Sequence, residues 1–129
     1  MATGFPAATG DVLTSGMFNG LTAFTVGAAN TVDYTAVLND QYQVLQIMNK
    51  ATAVAFKIPT DASVNFAIGT AITVLSIGAG TVTISAVTPG ATTVLSAGAV
   101  AASPTLAQYK TAVCIKTGAN AWYIVGGIE

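Results

Sequence analysis

From Thr31 onward the chain never sustains the 3.6-residue apolar period of an amphipathic helix. Instead, β-branched and aromatic residues come in short runs, each closed by residues that favour turns. The runs are Tyr34-Thr35-Ala36-Val37-Leu38, then Tyr42 to Met48 after the turn Asn39-Asp40-Gln41, then Val54 to Ile58, closed by Pro59-Thr60-Asp61. Ile72 to Ile77 and Thr81 to Ser85 flank Gly78-Ala79-Gly80, and they predict a hairpin whose glycines would supply positive φ. With a three-residue loop, Val74 faces Ile84 and shares a side with Ile72. With a two-residue loop, Leu75 faces Ile84 and Ile77 faces Val82. Either register leaves large apolar residues on both faces of this segment, Leu75 and Ile77 among them.

Farther on, Pro89, Gly90, Gly98 and Pro104 predict a long loop holding one short strand, Thr92 to Leu95. A second hairpin joins Tyr109–Lys116 to Ala121–Val125 through Thr117-Gly118-Ala119-Asn120. Many short strands at close spacing predict an all-β domain over residues 30–129, an antiparallel β-sandwich or a small jelly-roll-like barrel. No internal repeat is legible.

Residues 1–29 read differently, as an extended N-terminal arm. Thr14-Ser15 can cap a short helical turn over Gly16-Met17-Phe18, which Asn19-Gly20 would end. Phe5, Val12, Leu13, Phe18, Leu21 and Phe24 are too many large apolar groups for a solvated tail. They either pad the edge of the chain's own core or dock onto a neighbouring subunit. With Leu75 and Ile77 they are the interface candidates.

Charge bears on what the surface can do. Only 7% of the 129 residues are charged and 53% are apolar, against about 25% and 45–50% in ordinary globular domains. Apolar runs are interrupted too often for a spanning helix, and Met1 to Pro6 lacks the basic start of a signal peptide, so the expectation is a cytoplasmic product without membrane insertion. The cations are Lys50, Lys57, Lys110 and Lys116, with no Arg and a net charge of −1, too few for a phosphate-binding patch. Nucleic acid is therefore not an expected partner. Weak net charge opposes self-association little, and burial against partners accounts for the missing surface charge.

Chemistry is scarce. There is no His, which removes the commonest general base and metal ligand, and Cys114 is the only cysteine, so no intrachain disulfide can form. Cys114 between Val113 and Ile115 reads as a buried apolar side chain. Asp33, Asp40 and Asp61 adjoin turn signals and read as turn formers bonding local backbone, although two carboxylates could in principle serve a glycosidase. Trp122, Tyr123, Tyr109 and Tyr42 could stack on a sugar, yet a strand-borne Trp is more often core or interface. The expectation is a protein that is not an enzyme, with no catalytic, cofactor-binding or metal site.

The order and spacing of several motifs carry a resemblance. Tyr34-Thr35-Ala36-Val37-Leu38-Asn39-Asp40 is followed by Val54-Ala55-Phe56-Lys57-Ile58-Pro59, Val64-Asn65-Phe66-Ala67-Ile68-Gly69-Thr70 and Ile77 to Thr83. Gln108-Tyr109, Ile115-Lys116 and Asn120 to Gly127 complete the pattern. Together they resemble a β-rich structural module of tailed-bacteriophage virion proteins, over most of the chain after Thr31. Gly4-Phe5-Pro6, Gly10 to Thr14 and Phe18-Asn19 are similar to the opening of some phage tail and fibre proteins. The resemblance implies a structural protein on the outer surface of the virion and brings no catalytic residues. No heptads or collagen-like triplets follow the module, which favours a head decoration or cement protein. Such a protein would be a homotrimer seated on the major capsid protein. A tail or tail-fibre component and a host-glycan-binding adhesin module are the alternatives.

Overall fold

A computed structural model describes residues 24–98 and 101–129. Among them are ten strands and one short 3-10 turn, arranged as two mixed sheets. The strands are β1 (Thr25–Val26), β2 (Tyr34–Thr35), β3 (Val44–Met48), β4 (Val54–Ile58), β5 (Ala71–Ser76), β6 (Val82–Ala86), β7 (Thr93–Ser96), β8 (Thr105–Leu106), β9 (Thr111–Gly118) and β10 (Ala121–Gly126). One sheet has the order β1-β3-β5-β9-β10-β7, the other β2-β4-β6-β8. The expected all-β class is correct. The expected antiparallel pairing is not: β1–β3, β3–β5, β2–β4, β4–β6 and β7–β10 are parallel. This departs from the antiparallel ladders of a jelly roll, and no closed barrel forms among the described residues. The helical turn expected near Thr14 lies outside them.

The parallel pairs arise because the chain alternates between sheets. β1 runs in the six-stranded sheet and β2 in the other; β3 and β4 repeat that path, and β5 and β6 repeat it again. Each passage is a rung stacked on the one before. Leu45 lies beside Thr73 in one sheet and Val54 beside Val82 in the other, both a step of 28 residues. The arc over residues 49–53 therefore stacks in register on the arc over 77–81. Backbone bonds join them: Ile77 N–H to Met48 C=O (2.9 Å), Gly80 N–H to Lys50 C=O (2.9 Å) and Val54 N–H to Thr81 C=O (3.1 Å).

This stacking corrects the hairpin expected over Ile72–Ser85, whose two strands sit in different sheets. It also changes the reason for the glycines. Neither Gly78 nor Gly80 has positive φ. A Cβ at Gly78 would lie closer than 3.0 Å to the backbone of Lys50, and one at Gly80 equally close to that of Thr52. The glycines are there because the lower arc occupies the space a side chain would need.

The hairpin expected near the C-terminus does form. β9 and β10 pair antiparallel, Trp122 beside Lys116 and Ile124 beside Cys114, with Asn120 at φ 49° in the two-residue turn. Other boundaries moved slightly. The run at Tyr34 gives only two strand residues before the 3-10 turn Leu38–Gln41, and β7 falls one residue later than expected. The edge strand β1 and the bridge from Asn30 to Met48 place the last residues of the expected arm within the sheet.

Strand alternation sends one face of each sheet into a shared core. Val44, Met48, Ile72, Val74, Cys114, Trp122 and Ile124 point in from the larger sheet, and Val54, Phe56, Ile58, Val82, Ile84 and Leu106 from the smaller. Phe66, on the loop between β4 and β5, meets Trp122 edge to face at 5.4 Å, while Tyr34 stacks on Phe56 at 5.7 Å.

Changing Gly78 or Gly80 to Ala is expected to destabilise the protein by at least the about 1–3 kcal/mol of ordinary overpacking. Ala79→Ser, exposed between them, should change stability by less than about 0.5 kcal/mol. Urea unfolding midpoints measure all three; equal, small effects at the glycines would contradict the stacked arcs.

Candidate functional site

The outward faces of the two sheets differ in chemistry. On the smaller sheet the outward residues are Thr35, Ala55, Lys57, Thr83, Ser85 and Thr105, in cross-strand rows Thr35–Lys57–Ser85 and Ala55–Thr83–Thr105. Asp33 beside them accepts the Ala55 N–H (2.9 Å) and lies 3.8 Å from the Lys57 ammonium. Water solvates such a face readily.

The larger sheet turns an apolar face outward. Register builds one row from Val26, Leu45, Thr73, Val113 and Val125, a second from Leu95, Tyr123, Ile115 and Ala71, and a third from Ile47, Leu75 and Thr111. None of these is charged. Tyr123, Val125 and Leu95 are 46%, 47% and 41% exposed, and Val26 is 65% exposed. The β7 and β10 end of the face falls into a cleft of about 480 Å³ lined by Leu95, Tyr123, Val125 and Ile128 together with Glu129, which pairs with Lys110. Contiguous apolar surface of this kind marks interaction sites.

Leu75 lies on this outward face, half-buried, while Ile77 lies in the arc next to it. Phe24 is exposed immediately before β1. Phe5, Val12, Leu13, Phe18 and Leu21 are outside the described residues. Sequence reasoning missed Leu45, Ile47, Val113, Ile115, Tyr123 and Val125 as members of the face. Their signal is apolar residues at both parities of β9 and β10, where a half-solvated strand would alternate with polar ones.

A second cleft, of about 570 Å³, lies over Lys116, with Asp61, Phe66, Asn65, Ile68 and Leu38 in its wall. Lys116 is 2% exposed, and its ammonium donates to the Phe66 carbonyl (2.6 Å) and pairs with Asp61 Oδ1 (2.9 Å). The turn residue Asn120 fixes Asp61 in place: its Oδ1 accepts the Asp61 N–H (2.8 Å), and its own N–H donates to Asp61 Oδ2 (3.0 Å). The hydrogen bond from Lys116 holds the Asp61 carboxyl below its ordinary pKa. With its ammonium so engaged, Lys116 acts as an anchor between the β4–β5 loop and the terminal hairpin.

The most deeply buried of the described aspartates is Asp40, only 1% exposed. It accepts from Gln46 Nε2 (2.7 Å), the Tyr34 hydroxyl (2.9 Å) and the Val37 N–H (3.0 Å). Burial together with the bond to Asp40 raises the Tyr34 pKa. The turn role expected for Asp40 is thus partly local and partly a link between the 3-10 turn and both sheets. Cys114 is fully buried, which pushes its thiol up to about 12, and Trp122 is 1% exposed and so cannot stack on a sugar from its core position. Among the described residues no three His, Cys, Asp or Glu side chains gather as metal ligands, and no helix is long and apolar enough to cross a membrane.

No protein family, curated protein or solved structure matches this chain.

Two outcomes are expected. Lys116→Met keeps the apolar stem but leaves the Phe66 carbonyl without its donor, costing about 1–3 kcal/mol. Asp61→Asn should cost at least as much, because the buried Lys116 ammonium loses its counter-charge and the amide nitrogen must face either that ammonium or the Asn120 N–H. Since the folded-state pKa of Asp61 is depressed, its contribution is present above the unfolded carboxylate range near ~4 and is lost as pH falls through the folded value. Wild-type stability should therefore decline with acid more steeply than that of Lys116→Met in parallel denaturant titrations, and identical pH dependence would contradict the pairing.

Proposed function

We propose that this chain is a non-enzymatic structural protein of a bacteriophage particle, a head decoration or cement protein that works by subunit contact. The observation that carries the assembly half is the asymmetry of the two outward faces, one polar and one whose strand rows are apolar and uncharged. The two facing sheets read as a β-sandwich whose smaller sheet meets water and whose larger sheet meets a partner. A covered face also accounts for a composition with 7% charge. The phage half rests on the resemblance of the motifs after Thr31 to virion modules.

In this reading the partners are further copies of the chain, as a homotrimer, and the major capsid protein. The protein is made in the host cytoplasm and resides on the outer surface of the virion. It needs no cofactor, and neither nucleic acid nor membrane insertion enters its role. One observation favours a tail or tail-fibre component as the second reading: rungs stacked along one direction are the geometry of elongated solenoids.

Light scattering on the purified chain should give a trimer or larger. Tyr123→Lys and Val113→Lys, which place a charge on the apolar face, should shift the distribution to a monomer that keeps the circular dichroism of the folded β domain and unfolds cooperatively. Thr83→Lys on the polar face should leave the assembly intact. Binding to capsids stripped of this protein separates the head reading from the tail reading. A monomer at every concentration, with no binding to particles, would overturn the proposal.

A further inference from the structure

The outward face of the larger sheet is small for an assembly contact by itself. Its three apolar rows cross six strands spaced about 4.8 Å apart and run about five residues at 3.3 Å each, roughly 500 Å² in projection. Stable interfaces bury about 800 Å² on each partner. Face-to-face packing of two copies alone falls at the small end of stable interfaces, and further apolar surface would bring the contact into the ordinary range.

Residues 1–23 can supply it. They carry Phe5, Val12, Leu13, Phe18 and Leu21, and Asp11 is their only charged residue, so their chemistry matches that of the uncharged rows. The described chain starts at Phe24, beside β1, at the edge of the same sheet. Twenty-three residues extend up to about 75 Å, well over the width of the face, and so reach beyond the chain's own domain. At the opposite edge of the face, the cleft of about 480 Å³ between Leu95, Tyr123, Val125 and Ile128 has room for an aromatic side chain.

We propose that residues 1–23 of a neighbouring copy lie across the outward face of the larger sheet, with a phenylalanine of the arm in the Tyr123–Ile128 cleft. This rests on the assembly reading and names the occupant of the face. Arm exchange adds area on both partners and links each copy to the next. In a ring, every arm is donated and every face is covered.

Cross-linking between two differently tagged full-length chains, one Phe18→Cys and the other Tyr123→Cys, tests it. Cys114 is fully buried and stays out of reach of the reagent. After co-expression and treatment with a short bismaleimide, the expected product is a heterologous pair joined between positions 18 and 123. Thr83→Cys, on the polar face, should give none. Phe5→Ser with Phe18→Ser, in the otherwise intact chain, should weaken self-association about 10-fold or more.

A link that forms only when both cysteines are on one chain would overturn exchange in favour of an arm folded onto its own sheet. Assembly that persists in light scattering, with no 18–123 link and no effect of the serine changes, would overturn the arm as occupant and leave the assembly reading standing. Monomers throughout would overturn both.

Discussion

The structure depends on the contact between two arcs. Backbone at 77–81 rests directly on backbone at 49–53, and the fit requires that Gly78 and Gly80 carry no side chain above Lys50 and Thr52. That contact keeps β3 beside β5 in one sheet while β4 lies beside β6 in the other, both at the same 28-residue step. Were the arcs forced apart, both parallel ladders would lose register together. A one-residue slip would turn Ile72 and Val74 outward and bring Thr73 and Leu75 into the core.

The far side of the molecule is held by charge and by polar bonds. β9 and β10 close the larger sheet antiparallel, and Lys116 ties their turn end to the β4–β5 loop through Asp61 and the Phe66 carbonyl. Burying an ammonium is costly unless its partners are well placed, and Asn120 places Asp61 from two directions. Asp40 does comparable work in the neighbouring 3-10 turn, whose Leu38 shares the wall of the Lys116 cleft: Tyr34, Gln46 and Val37 all donate to its buried carboxylate. Chains so poor in charge spend the few they have on such joints, which leaves little to solvate the larger sheet's outward face.

The longer strands were legible in the sequence, whereas the two-residue strands β1 and β8 and most strand partnerships were not. Val54 to Ile58 was read to the residue, and the pairing of β9 with β10 followed from Thr117-Gly118-Ala119-Asn120 between two β-branched runs, of which only the last two form the turn. Gly78-Ala79-Gly80 misled because a hairpin turn and an arc between sheets use the same small residues. They differ only in whether the flanking strands bond each other or face each other. The rung repeat was invisible because its backbone recurs while its side chains do not: Met48 lies beside Ser76, and Lys57 beside Ser85. The apolar face was half legible. Leu75 was flagged from its own segment, but Val113, Ile115 and Tyr123 join it only once β5, β9 and β10 are neighbours.

The central claim is that assembly covers the outward face of the larger sheet and leaves that of the smaller sheet in water. Hydroxyl-radical footprinting of the full-length protein, assembled and diluted to monomer, tests it most directly through two exposed tyrosines. Tyr123 lies on the apolar face, and Tyr109 lies off it at 75% exposure. The account predicts that assembly protects Tyr123 several-fold and leaves Tyr109 unchanged. Equal labelling of Tyr123 in both states, or protection confined to the face carrying Lys57 and Thr83, would contradict it.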